Sequence, residues 1–183
     1  MTLSLFDLSA ALKTVQQSAE QLSADEQCSK TLMAMGEAIS QRQDDILEAN
    51  TLDLEISRDM AVPELVVDWL KLTPERVQKA ANILHRLAAI GTAEPRIIAN
   101  GNYPISRPVG IVGFIYEAFP DLAAIAAGLC IRTGNALVLR GGSEASRTNQ
   151  IIASILQGAL TDVGPSADIV FPEIGSASCR ESV

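Results

Sequence analysis

The sequence predicts an α/β chain, with a helical lead-in over residues 1–92 and a partial doubly wound parallel sheet over 93–171. A tail, 172–183, has no periodicity that assigns it. Three observations predict this class. Apolar residues of the first half recur at helical spacing. From about residue 95, short β-prone runs alternate with apolar helical runs. Their connections are short, as in a chain of parallel strands joined by helices.

The lead-in opens on Ser23-Ala24-Asp25-Glu26, a capping box in which the serine caps a backbone N–H and the glutamate reaches back. Leu32, Met35, Ile39 and Leu47 follow near helical spacing. Pro63 can open a short helix. Thr73 followed by Pro74 is an N-cap with proline at the first helical position, Val77, Ala81, Leu84 and Ala88 share one face, and Gly91 is a stop.

In "RIIANGNYPIS" an Asn-Gly pair between β-prone runs predicts a hairpin, which Pro104 and Pro108 confine to edge positions. "VGIVGFIY" (109–116) reads as a strand covered on both faces. "PDLAAIAAGLCIRTG" (120–134) is a helix with proline at its start and glycine at its end. "ALVLR" (136–140) is a second strand, residues 143–164 a second helix ending at glycine, and "ADIVF" (167–171) a third strand. Ligands of such sheets sit beyond the carboxyl ends of the strands. Two segments lie there, "YEAFPD" and "RGGSEA".

Composition excludes several classes. Hydrophobic residues make up 48% and charged residues 20%, a globular balance. Residues 1–100 hold 15 acids and 9 bases, and residues 101–183 hold 7 and 5, so no basic stripe offers a nucleic-acid partner. The longest apolar stretch, residues 122–131, lies between Asp121 and Arg132 and is too short to span a membrane. Cys28, Cys130 and Cys179 fit no metal spacing, and no metal is expected. An odd cysteine count without a signal peptide points to the cytoplasm.

In "RGGSEA", Gly141 and Gly142 clear space for a ligand and permit positive φ. The helix behind them offers N–H groups and a positive dipole end to a phosphate. Ser143 can cap that helix or bond a phosphate or ribose oxygen. Arg140 suits a phosphate and Glu144 a ribose hydroxyl. The plainer alternative is a tight turn with a serine cap. In "YEAFPD", Glu117 and Asp121 are either a general acid/base pair or a solvated strand end beside a dipole-favoured helix charge. Tyr116, Cys28 and Cys130 read as packing, and His85, on the polar side of its helix, as a surface residue. No catalytic residue emerges from these patterns.

The stretch "RPVGIVGFIYEAFPDLAAIAAGLCIRTGNALVLRGGSEASRTNQIIASIL" (107–156) resembles γ-glutamyl phosphate reductase, of the aldehyde dehydrogenase superfamily. The combination of P-x-G-x-x-G-x-I-Y-E-A-x-P with G-N-A-x-x-L-R-G-G-x-E-A carries the resemblance, and "LTPERV" extends it to residues 8–164. It implies a Rossmann-like sheet of the aldehyde dehydrogenase type, and a small-molecule substrate. The implied reaction is NADPH-dependent reduction of L-glutamate 5-phosphate to L-glutamate 5-semialdehyde with release of phosphate, in proline biosynthesis. In that chemistry a cysteine thiolate forms a thioester that hydride then reduces.

The resemblance places Arg140, Gly141, Gly142, Ser143 and Glu144 at the adenosine end of NADPH, with Arg140 and Ser143 toward its 2′-phosphate. It leaves Glu117 and Asp121 near the substrate. It implies a homo-oligomer at full length. No cysteine here stands in the nucleophile's sequence context, so the chain reads as an N-terminal fragment, inactive alone. A sheet cut after its third strand leaves an exposed edge and an uncovered apolar face, so the isolated chain is expected to be prone to aggregation or partly unfolded. Many members have "EARPN" where this chain has Glu117-Ala118-Phe119-Pro120-Asp121. Two other readings stay open: a non-catalytic nucleotide-binding or assembly module of the same descent, and another aldehyde dehydrogenase type acting on an acyl-CoA.

Overall fold

A computed structural model of the chain describes residues 13–15, 17, 18, 25–91 and 108–172. Ser23 of the capping box, the hairpin at 96–106, Cys179 and residues 173–183 lie outside these. The lead-in is helical, as expected. Helices α1 (Asp25–Gln41) and α2 (Gln43–Asp59) meet at a bend on Arg42 (φ −103°, ψ 25°). The run containing Leu32, Met35 and Ile39 therefore stops before Leu47. It is Ile46 that is buried in α2, with Leu47 only packed against the core.

Pro63 precedes α3 (Glu64–Leu70). Thr73 caps α4 (Pro74–Ala89), its hydroxyl accepting from Arg76 N at 3.3 Å. Val77, Ala81, Leu84 and Ala88 are buried together, as their spacing predicts.

Strand β1 (Ile111–Tyr116), helix α5 (Leu122–Arg132) and strand β2 (Ala136–Gly141) follow in order. Then come a 3-10 turn (Ser143–Ala145), helix α6 (Ser146–Val163) and strand β3 (Val170–Pro172). Glycine ends both later helices in the left-handed region, Gly134 at φ +70° and Gly164 at +112°. Two expectations shift. The second helix begins at Ser146 rather than 143, and residues 167–169 form a 3-10 turn before a shorter third strand.

The sheet is parallel, in the order β1-β2-β3. Val112, Phe114, Leu137 and Leu139 join the helices in one core, with Leu32, Met35, Leu84 and Leu156. The opposite face departs from the expectation for β1. Ile115 is 75% exposed and Gly113 is exposed, so among the described residues the second face of this strand is covered only at its start, at Ile111. Val15 packs on that second face, with Ala136, Ile111 and Phe171. None of the described helices is long and apolar enough to cross a membrane.

Candidate functional site

The β1–β2 pairing sets Ile115 beside Arg140 and Tyr116 beside Gly141. Both segments named from the sequence therefore leave the same end of the sheet. They touch there. A Cβ on Gly142 would lie 2.7 Å from Glu117 O and 3.2 Å from Glu144 Oε2. A Cβ on Gly141 would lie 2.1 Å from Asn149 Nδ2 and 3.0 Å from the Tyr116 hydroxyl. The two glycines make room for the protein's own groups, and both also line a pocket. Neither has a positive φ; Gly142 sits at φ −61°, ψ 153°.

The turn is stitched from within. The Tyr116 hydroxyl donates to Asn149 Oδ1 at 3.1 Å, and Asn149 Nδ2 donates to Gly142 O at 3.2 Å. Burial pushes the Tyr116 phenol up to about 12, so near neutrality it stays a donor. Beside this network, Gly141, Gly142, Ser143 and Asn149 line a shallow pocket floored by Leu139 and Ala153.

The helix behind the turn is not the open anion site that its sequence position suggests. The carboxylate of Asp53, from α2, already caps α6. It accepts from Arg147 N at 3.3 Å, and from Thr148 N and Thr148 Oγ1 at 2.8 Å each. A buried anion on the first turn of a helix satisfies the orphan donors and the dipole together. Ser143 accordingly does not cap α6. It is exposed, and its hydroxyl donates to Glu144 Oε2 at 3.1 Å. Arg140 is half-buried at the end of β2.

At the end of β1, Glu117 is exposed and Asp121 pairs with Arg76 of α4. The Arg76 guanidinium also lies 5.5 Å from the Phe119 ring centroid, and it donates to Lys71 O at 2.6 Å. Asp121 is thus held by a cation of the lead-in rather than set opposite Glu117 as a second carboxylate. Phe119 has φ +58°, the left-handed region, which costs a non-glycine residue about 1 kcal/mol or more. Phe119 N donates to Trp69 O at 3.3 Å, and the two rings lie 5.9 Å apart.

Cys28 and Cys130 are buried, and burial pushes both thiols up, that of Cys130 to about 11. Neither is a ready nucleophile. The expected surface position of His85 is corrected. Its ring faces α1, where a Cβ on Gly36 would lie 2.4 Å from Nε2, and that nitrogen is buried without a hydrogen-bond partner. Among the described residues no cluster of His, Cys, Asp or Glu could hold a metal ion.

Sequence reasoning missed Asn50, Asp53, Arg76 and Asn149. For the first two a signal existed. Ile46, Asn50, Asp53 and Ser57 follow helical spacing, so polar residues occupy a face that an apolar residue opens.

No family model matches the chain. The curated γ-glutamyl phosphate reductase 2 of Synechocystis sp. is 44% identical over 149 residues, 78% of this chain and 36% of the relative. The chain thus spans little more than a third of that relative's length. Among solved structures, the γ-glutamyl phosphate reductase of Thermotoga maritima superposes with a TM-score of 0.79 at 25% identity, covering 91% of this chain and 42% of that one. A glyceraldehyde-3-phosphate dehydrogenase of Methanocaldococcus jannaschii, complexed with NADP, reaches 0.70 at 19% identity over 96% and 38% of the two chains. Other neighbours of the fold are aldehyde dehydrogenases. The fold is that of this superfamily.

Proposed function

From a chain related over most of its length to the γ-glutamyl phosphate reductases, we propose an oxidoreductase segment that holds the adenosine end of NADPH. The reaction it serves is reduction of L-glutamate 5-phosphate to L-glutamate 5-semialdehyde with release of phosphate, in proline biosynthesis. The observation that carries this reading is the meeting of "YEAFPD" and "RGGSEA" at one end of a parallel sheet, in a chain with that kinship.

The polar and small residues present are compatible with such a cofactor. Gly141, Gly142 and an exposed Ser143 line a pocket with Leu139 and Ala153, and Arg140, outside that lining, stands one residue before the end of β2. Arg140 and Ser143 would hold the 2′-phosphate, Gly141 and Gly142 keep the turn close, and Glu144 would take a ribose hydroxyl. With α6 already capped by Asp53, phosphate recognition falls to these side chains and not to the helix end. When bound, NADPH supplies the hydride. Glu117 is the exposed group at the acyl side, while Asp121 is a fixed counter-charge to Arg76. The NADP complex of the archaeal neighbour, alike in fold, supports a nicotinamide cofactor.

Calorimetric titration of the 183-residue chain with NADPH and NADH tests this. Arg140→Ala weakens NADPH by roughly 10- to 100-fold, the worth of a charge-assisted bond, and NADH little. Equal affinities in the parent chain, unchanged in Arg140→Ala, overturn the reading.

A second reading, a non-catalytic nucleotide-binding or assembly module, is favoured by the burial of Cys28 and Cys130. Both readings expect this chain to show no NADPH oxidation with L-glutamate 5-phosphate. Turnover would sink the module reading, together with the view that the nucleophile lies elsewhere.

A further inference from the structure

Three polar side chains of α2 are almost completely buried: Asn50, Asp53 and Ser57, at 2%, 3% and 2% exposure. Each bonds outside its own helix. Asn50 Nδ2 donates to Leu70 O at 3.0 Å and to Thr148 Oγ1 at 3.3 Å, and Asn50 Oδ1 accepts from Leu72 N at 2.8 Å. Asp53 takes the Arg147 and Thr148 amides and the Thr148 hydroxyl. Ser57 Oγ donates to Glu144 O at 3.4 Å.

One helix face therefore grips both strand-end segments. Through Leu70 and Leu72 it fixes the strap whose Trp69 carbonyl holds Phe119 N, and through Asp53 and Ser57 it fixes the turn after β2. A buried polar network of this kind is costly unless every member is paired, and when paired it specifies one geometry. Nearly a hundred residues separate Asp53 from the amides it holds.

We infer that Asp53 is a positioning residue of the cofactor site, fixing the Ser143–Thr148 segment so that Arg140 and Ser143 discriminate for a nucleotide with a 2′-phosphate. The inference rests on the cofactor reading above. A carboxylate offers two acceptor oxygens to two amides and a hydroxyl, whereas an asparagine keeps one and turns an NH₂ toward donors. The start of α6 then loses its anchor, and the turn in front of it loses its fixed position.

The test compares the parent chain with Asp53→Asn. Probes are 2′,5′-ADP and 5′-AMP, which differ by the 2′-phosphate, read by calorimetry, with amide hydrogen exchange read at Arg147 and Thr148. In Asp53→Asn both amides lose protection, and the ratio of the two affinities falls by about tenfold while 5′-AMP itself binds nearly as before. An unchanged ratio, an equal loss for both probes, or unchanged exchange overturns the inference. If Asp53→Asn does not fold, Ser57→Ala is measured for the same ratio. A fall in that ratio supports the inference, and an unchanged ratio overturns it. A parent chain that binds neither probe instead sinks the cofactor reading, and that result is seen before any variant is made.

Discussion

The two strand ends leave the same end of the sheet but are held by different means. After β2, the turn is fixed by hydrogen bonds and close packing, with Gly141 against Asn149, Gly142 against Glu117 O, and Asp53 on α6. After β1, the segment is fixed by an ion pair and aromatic contacts. Phe119, 39% exposed, stays in a strained conformation between Trp69 and Arg76. The first arrangement leaves little freedom. The second stores strain and presents rings to solvent. Short-range directional bonds suit a turn that must keep one shape, while strain survives only where surrounding contacts over-determine it.

The largest break in this comparison comes at Gly142. Its φ and ψ suit any residue, so the cost of Gly142→Ala is steric alone and falls on the Glu117 backbone, which cannot swing away. We expect a loss of about 2–3 kcal/mol in denaturant unfolding. Asp53→Ala comes next. It strands two amides and a hydroxyl at the start of α6 and should cost about 2 kcal/mol by the same measurement, with α1 and α4 amides still protected.

Alkaline pH acts on two buried groups, the Cys130 thiol in α5 and the Tyr116 phenol that ties the end of β1 to Asn149. Burial raises both Tyr116 and Cys130, so each favours its protonated form more in the folded chain than in the unfolded one. That contribution is complete below the unfolded values near 9 and 10. It is lost as pH rises through about 11 for Cys130 and about 12 for Tyr116. Melting temperature should fall across pH 9–12, and in a Tyr103→Phe background, which leaves Tyr116 as the one tyrosine, tyrosinate absorbance should appear only at the top of that range.

The smallest effect sharpens the contrast. Phe119→Asn relieves the left-handed strain but loses the ring contacts, so stability should change by less than about 1 kcal/mol. Trp69 is the sole tryptophan of the chain, and its fluorescence should shift as the neighbouring ring is removed. A large loss of stability would mean that the ring contacts, and not the backbone bond to Trp69 O, hold the segment.

Much of the fold was legible because its signals are local. Thr73-Pro74 marks a helix start by chemistry confined to four residues, and Gly134 and Gly164 mark helix ends by a backbone only glycine adopts cheaply. The start of α6 was misplaced because Ser143 has the right side chain for a cap and stands in the right place. What it lacked was competition in view, since the cap that wins is Asp53, in another helix. Among the described residues, the second face expected to be covered at β1 stays largely open, for a related reason. Residues "IVGFIY" report a taste for burial, not what is present to bury them.

From the sequence alone came the order of helices and strands, the two segments at the carboxyl ends of the strands, and the kinship with γ-glutamyl phosphate reductases. It took the tertiary structure to decide that Arg76 neutralises Asp121, that His85 lies on Gly36, and that Gly141 and Gly142 pack against Asn149 and Glu117. The physical reason is range. Periodicity, caps and turn residues act within a few positions of the chain. A buried charge or a close contact is settled by whichever distant group folding brings to it.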